Sequence, residues 1–326
     1  MKPVVDLFSP KASEDRLDPL YRSLLRSPAH QGARQHLNAA FARMGDPDGV
    51  FASNFWGPAF HARLFEITCF LYLEAAGFAL DRTHRAPDFI ASKAGFEIAV
   101  EATTSNPSDG FSRNIGATEL EDLPIERIIE KSAVEFPRRM TAALWKKVAR
   151  AYHREPHVAG KPLVLMAQPA FEAGANFYVD DSLIPALFGD RTERQGLFDR
   201  DEVRHVSAIA YCNNFTVSKV SRLACPAQFR TEWHAVREGF CLVEGTNEPW
   251  RPKRFRFEVG HLDTPHEAWP EGVTLFLNPN AAIPLPPDSL EASCIIGRVA
   301  DGALIKCISG FHPLAQTMIA TRRELS

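Results

Sequence analysis

The chain has six cysteines, Cys69, Cys212, Cys225, Cys241, Cys294 and Cys307, yet no CxxC pair and no Cys/His cluster at zinc-finger spacing. Zinc fingers and ribbons, which place ligand pairs a few residues apart, are excluded. Scattered single thiols fit buried, reduced cysteines of a cytoplasmic protein. The N-terminal stretch "MKPVVDLFSPKASEDRLDP" lacks the apolar run of a signal peptide. No run approaches the roughly 20 apolar residues that span a bilayer, so no membrane partner is expected. No P-loop or GxGxxG follows an apolar run, which argues against a nucleotide-binding enzyme. Ser105 and Ser108 have no GxSxG context, which argues against a triad hydrolase. A basic excess is also missing. The formal charge is −3 over 326 residues, so any contact with nucleic acid needs a local patch.

What is present is enough apolar content, 45% of the residues, for a sizeable core. Residues 14 to 45 have helical spacing at Leu17, Leu20, Leu24 and Leu25, broken by "RSPAH", and predict a helical hairpin. A turn, "GDPDG", follows, and then a helix over about 57–76 that Gly77 stops. Strands are expected near 87–91 and 96–103. From "SNPSDG" a polar loop runs through the acidic "ELEDLPIE" and reads as a flap. A helix over 136–154, a buried strand over 161–168, a short helix in "DDSLIPALFG" and a strand over 205–212 complete an α-β-β-α-β-α-β order. Beyond about residue 220, short apolar segments alternate with Pro, Asn and Gly. The expected organisation is an N-terminal helical segment (1–54), an α/β core (55–220) and a β-rich C-terminal extension (221–326).

The strand at 96–103 alternates cleanly. Phe96, Ile98, Val100 and Ala102 fall on one face, and Glu97, Ala99, Glu101 and Thr103 on the other. A turn centred between Ala94 and Gly95 would set Asp88 directly opposite Glu101. A centre one residue earlier would leave Glu101 diagonal to it. Directly opposed side chains have Cβ atoms about 5 Å apart, so either register lets both carboxylates reach one cation. Two like charges this close destabilise a hairpin unless they are neutralised. Hard oxygen ligands favour Mg²⁺ or Mn²⁺. A solvent-facing Asp and Glu on an ordinary hairpin is the plainer alternative.

Two further residues break an apolar pattern. Glu66 sits mid-helix in "FHARLFEITCFLYLEAAG", where an unpaired carboxylate is costly. It needs either a metal or an intrahelical pair with Arg63. Lys147 interrupts the stripe Phe136, Met140, Ala143, Ala151. It is either a snorkelling lysine or a cation held over the carboxylates.

A Glu on the first helix, Asp and Glu on a hairpin, then a helix and a strand: this order resembles the PD-(D/E)XK nuclease superfamily. The matching residues are Glu66, Pro87-Asp88 and Glu101-Ala102-Thr103, and the resemblance covers roughly residues 55 to 215. Longer segments, including "FWGPAFHARLFE" and "LFLNPNAAIPL", resemble a bacterial branch with this core and the motif lysine displaced. The resemblance implies a restriction-endonuclease-like mixed sheet flanked by helices. It also implies a nuclease that hydrolyses phosphodiester bonds, with Asp88, Glu101 and Glu66 as ligands of Mg²⁺ or Mn²⁺. Thr103 stands where the superfamily has a lysine that orients the attacking water. Lys147 can replace that charge, a second metal can supply it, or the fold binds without cutting. Gln168 is a further candidate ligand, or else a partner for loop backbone. Basic clusters in the 136–154 helix and in "RPKRFRF" would meet the phosphates. "NPNAAIPLP" would shape one wall of the site. The implied partner is nucleic acid, DNA in particular; a homodimer stays open.

Overall fold

The computed structural model describes residues 5–47, 49–107, 124–172, 174–190, 195–245 and 250–323. The segment 108–123, which holds Ser108 and most of the stretch read as a flap, lies outside them.

The N-terminal segment folds as α1 (Pro19–Arg26) and α2 (Gln31–Met44), with a short α3 (Phe51–Asn54) after it. Asp18 caps α1 by accepting from the Leu20 and Tyr21 N–H groups, and Pro19 takes the first helical position, where its missing N–H costs nothing. α4 (Phe60–Ala75) is apolar nearly all round because both of its sides are covered, by the main sheet and by α2. It stops at Gly77 (φ 83°), with the Phe78 N–H closing back on the Leu73 carbonyl.

Next come β1 (Ala79–Asp81), β2 (Phe89–Lys93) and β3 (Phe96–Ser105) as an antiparallel meander. β1 is a strand that the periodicity missed, being only three residues long. α5 (Ile125–Glu130) runs through a π-type turn into α6 (Phe136–Val148), so this helical rod starts well before residue 136. It ends before 154, since Ala151 adopts the left-handed conformation (φ 51°). β4 (Leu163–Pro169), α7 (Ile184–Phe188) and β5 (Ala208–Tyr211) follow, with β4 parallel to both β3 and β5.

The remaining elements are α8 (Val217–Ala224), α9 (Gln228–Thr231), β6 (Trp233–Val243), β7 (Lys253–Glu258), β8 (Thr274–Leu277), β9 (Cys294–Arg298), β10 (Leu304–Ile308) and β11 (Phe311–Arg322). They do not stand apart as one extension. β8, β9 and β10 continue the main sheet, whose order is β1-β2-β3-β4-β5-β8-β9-β10, while β11-β6-β7 form a second, antiparallel sheet.

The main sheet is mixed and covered on both faces. Strand alternation divides its side chains between two apolar cores. Phe89, Ile98, Val100, Met166 and Ala210 pack with α4 and the N-terminal helices. Ile90, Ala99, Leu165 and Ile209 pack with Phe136, Met140, Leu144 and Val148 of α6. The buried stripe of α6 therefore runs through Leu144 and Val148, and Lys147 lies beside it. Among the described residues, no helix is long and apolar enough to cross a membrane.

Candidate active site

The β2–β3 hairpin turns through Ala94 (φ 50°) and Gly95 (φ 81°). Two successive positive φ angles make a two-residue turn whose twist suits a hairpin. The register is Lys93↔Phe96 through Phe89↔Val100, and its continuation sets Asp88 opposite Glu101. Each carboxylate accepts from the backbone of the facing segment. The Asp88 N–H donates to Glu101 Oε2 at 3.1 Å, and the Ala102 N–H donates to Asp88 Oδ2 at 2.8 Å.

Glu101 is 2% exposed and lies on the sheet face that α6 covers. Lys147 reaches over from α6 and donates to Glu101 Oε1 at 2.5 Å. Arg150, one turn on, approaches the same oxygen at 3.7 Å. Among the described residues, no cation forms an ion pair with Asp88. Burial pushes its carboxyl well above the usual carboxylate range, and the neighbouring Glu101 and Glu66 push it the same way; Lys147 and the Ala102 N–H oppose them.

Glu66 enters from the middle of α4. Its Oε2 accepts from Arg63 Nη1, one turn earlier, at 2.5 Å, and its Oε1 accepts from Arg82. Burial still pushes the Glu66 carboxyl up against these two cations. Arg82 also donates to the Gly45 carbonyl at 3.0 Å and lies over the Phe89 ring, so it ties the end of α2 to the hairpin.

These groups share one cavity of about 380 Å³. Its walls carry Arg63, Arg82, Arg85, Lys147 and Arg150 against Asp46, Glu66, Asp88 and Glu101, five cations to four carboxylates. A polar cavity balanced in this way can hold a small cation at its acidic floor and an anion at its basic rim.

Comparison with protein-family models, curated proteins and solved structures finds no match to this chain.

Of the six candidate residues named from the sequence, four thus line one cavity: Glu66, Asp88, Glu101 and Lys147. Among the described residues, Asp88, Glu101 and Glu66 do not form a group whose ligand atoms all lie within 4.8 Å of one another, and the Glu66 carboxylate is paired with two arginines. Thr103 is buried on the same strand face as Glu101, two residues further along, and does not line the cavity. Gln168 serves loop backbone instead, donating to the Cys212 and Phe215 carbonyls.

The basic clusters behave differently from each other. In and beyond α6, Arg138, Lys146, Arg150 and Arg154 are exposed. In the second cluster Phe255 is buried and packs edge-on against Phe311, so it is not offered to a base. The loop "NPNAAIPLP" does not line the carboxylate cavity. Asn278 and Asn280 spend their amides on the Val203, Val206 and Phe198 carbonyls. The cavity residues that the sequence reading passed over are Arg82, His84 and Arg85. Their signal was the run "DRTHR" immediately before Ala86-Pro87-Asp88.

Proposed function

We propose that the Asp88–Glu101 cavity is the active centre of a divalent-metal-dependent nuclease that hydrolyses phosphodiester bonds in DNA, on a restriction-endonuclease-like core. The observation that carries this reading is the direct opposition of Asp88 and Glu101 on the hairpin, with Lys147 delivered to Glu101 from α6. The order α4, β2–β3 hairpin, α6, β4 supports the fold assignment.

The residues present fit Mg²⁺ or Mn²⁺. Asp88 is a carboxylate whose charge its surroundings disfavour, beside a second carboxylate, and both offer oxygen. Asp88 and Glu101 would hold the ion; Glu66, already neutralised by Arg63 and Arg82, is better suited to orienting those arginines. When bound, such an ion polarises a phosphate and makes its water a stronger nucleophile. The chain's own groups do the rest. Lys147 supplies at this cavity the positive charge that Thr103 lacks. An ammonium donates three hydrogen bonds, and with one given to Glu101 it keeps capacity for a water or a phosphate oxygen. Arg85 and Arg150 are exposed at the rim, where phosphates arrive.

The test is a cleavage assay on linear, supercoiled, nicked and single-stranded DNA and on RNA, with Mg²⁺, Mn²⁺ or chelator. Metal-dependent cleavage that Asp88→Ala and Glu101→Ala each abolish is the expected outcome. Binding of nucleic acid with no cleavage under any metal would instead assign the cavity to a catalytically inactive binding module.

A further inference from the structure

Away from the carboxylate cavity, a second set of donor atoms converges where the two sheets meet. Asp180, in the turn before α7, Cys294, the first residue of β9, and His312, near the start of β11, bring one ligand atom each to within 4.8 Å of the others. All three residues are buried. We propose that Asp180, Cys294 and His312 bind a structural zinc ion that pins the small sheet to the main sheet.

The surrounding hydrogen bonds suit a metal ligand set. His312 Nδ1 meets Ser293 Oγ at 2.7 Å, and Ser293 Oγ accepts from the Gly272 N–H at 2.9 Å. A histidine whose far nitrogen is anchored in this way has its tautomer and ring orientation fixed, as metal-bound histidines do. Its Nε2 faces Asp180 Oδ2 at 3.4 Å, long for a hydrogen bond. The Thr274 hydroxyl donates to Asp180 Oδ2 at 2.8 Å and orients that carboxylate.

Thiolate, imidazole and carboxylate together select zinc over Mg²⁺ or Ca²⁺. Three ligands come from the chain, one fewer than the four of most structural zinc sites, so a water would complete the tetrahedral set. The neighbouring cation does not block the site. Lys306 makes its shortest contact with Asp181, at 2.7 Å, and lies 3.3 Å from Asp180, so it retains a partner when Asp180 turns to a metal. On binding, the Cys294 S–H gives its proton to solvent as the zinc–sulfur bond forms, and His312 binds as the neutral imidazole. The order Ser293–His312–Asp180 is not a hydrolase triad here, since Ser293 is 4% and His312 2% exposed and no substrate reaches them.

The experiment uses the full chain in an Asp88→Ala background, so that metal at the carboxylate cavity is not counted. Protein purified from zinc-supplemented medium and desalted is assayed for metal, and the chelated protein is refilled with Co²⁺. The expected results are about one zinc per chain, a thermal midpoint several degrees lower after chelation, and a cobalt–thiolate charge-transfer band that Cys294→Ser removes. The band in the unsubstituted Cys294 chain is read by itself, so poor folding of Cys294→Ser leaves the test intact. A chain with no zinc and no cobalt–thiolate band would overturn the proposal and leave Lys306 as the counter-ion of Asp180. So would a band that survives Cys294→Ser, or a midpoint that ignores chelation.

Discussion

Asp88 carries a carboxylate that its surroundings push toward the protonated form, and this has a consequence for stability. A carboxyl whose pKa is higher folded than unfolded binds more protons in the native state across that interval. Its contribution is favourable below the unfolded value, about 3.9, and is lost as pH rises through the raised folded value. Asp88→Asn keeps an acceptor for the Ala102 N–H and removes the charge. It should melt above the unsubstituted chain at pH 8 without metal, and the gap should close toward acid. Added Mg²⁺ should raise the melting temperature of the unsubstituted chain and not that of Asp88→Asn. A variant that melts lower at every pH would refute the account in which burial, with Glu101 and Glu66 beside it, disfavours the Asp88 charge. For Lys147, replacement by Met should cut metal-dependent cleavage by about 100-fold, the scale of losing one transition-state charge partner, while Lys147→Arg restores part of it. Equal losses in both variants would mean that position 147 serves packing. Asp88, Glu101, Glu66 and Lys147 were legible in the sequence for one reason: each breaks an apolar pattern. Arg82 and Arg85 break nothing, because they sit in a polar loop where basic residues are unremarkable, and only the folded chain brings them to the carboxylates.

At the scale of elements, the site depends on a two-residue turn. A turn centred between Ala94 and Gly95 sets Asp88 directly opposite Glu101, whereas a centre one residue earlier would pair Asp88 with Ala99 and leave Glu101 only diagonal to it. Ala94 occupies the left-handed region at φ 50°, which costs an L-residue with a Cβ roughly 1–2 kcal/mol. Ala94→Asn, giving the preferred Asn-Gly pair, should therefore stabilise the chain by somewhat less than that, about 1 kcal/mol. Gly95→Ala should destabilise it by about 1 kcal/mol through backbone conformation alone, since nothing lies within 4 Å of an added Cβ. Thermal melts of both variants check this pair of opposite signs; two shifts in the same direction would contradict the turn assignment. The sequence left two registers open because alternation fixes which residues share a face, not where the chain turns. It placed α4, α6 and β4 well, since each buries a continuous stripe or run. It missed β1, which is too short to show a period, and the start of the α5–α6 rod, where Ile125, Ile128 and Ile129 are exposed and trace no buried face.

For the whole molecule, the change of composition near residue 220 misled more than it helped. β8, β9 and β10 lie far along the chain yet complete the main sheet next to β5, a non-local pairing that no local pattern carries. What the later segment adds at that junction is a buried charge network. Arg222 of α8 holds Glu267 through two hydrogen bonds of 2.6 and 2.8 Å, and Arg237 of β6 approaches Glu267 at 3.5 Å and Glu271 at 2.9 Å. α8 packs on α2 and β6 belongs to the small sheet, so this network joins the N-terminal helices to the C-terminal sheet. Burial alone would raise the Glu267 carboxyl, but Arg222 and Arg237 hold it down at about 2. Glu267→Gln strands the buried Arg222 guanidinium without its counter-charge, while Arg237 keeps Glu271, and breaking a buried pair in this way typically costs about 3–5 kcal/mol. The sign of the pH effect follows. A depressed carboxyl contributes stability that is full above its unfolded pKa, about 4.3, and is lost as pH falls toward 2. The unsubstituted chain should therefore lose melting temperature more steeply than Glu267→Gln over that interval. If both lose it at the same rate, Glu267 is not the group that fastens the two parts of the molecule together in acid.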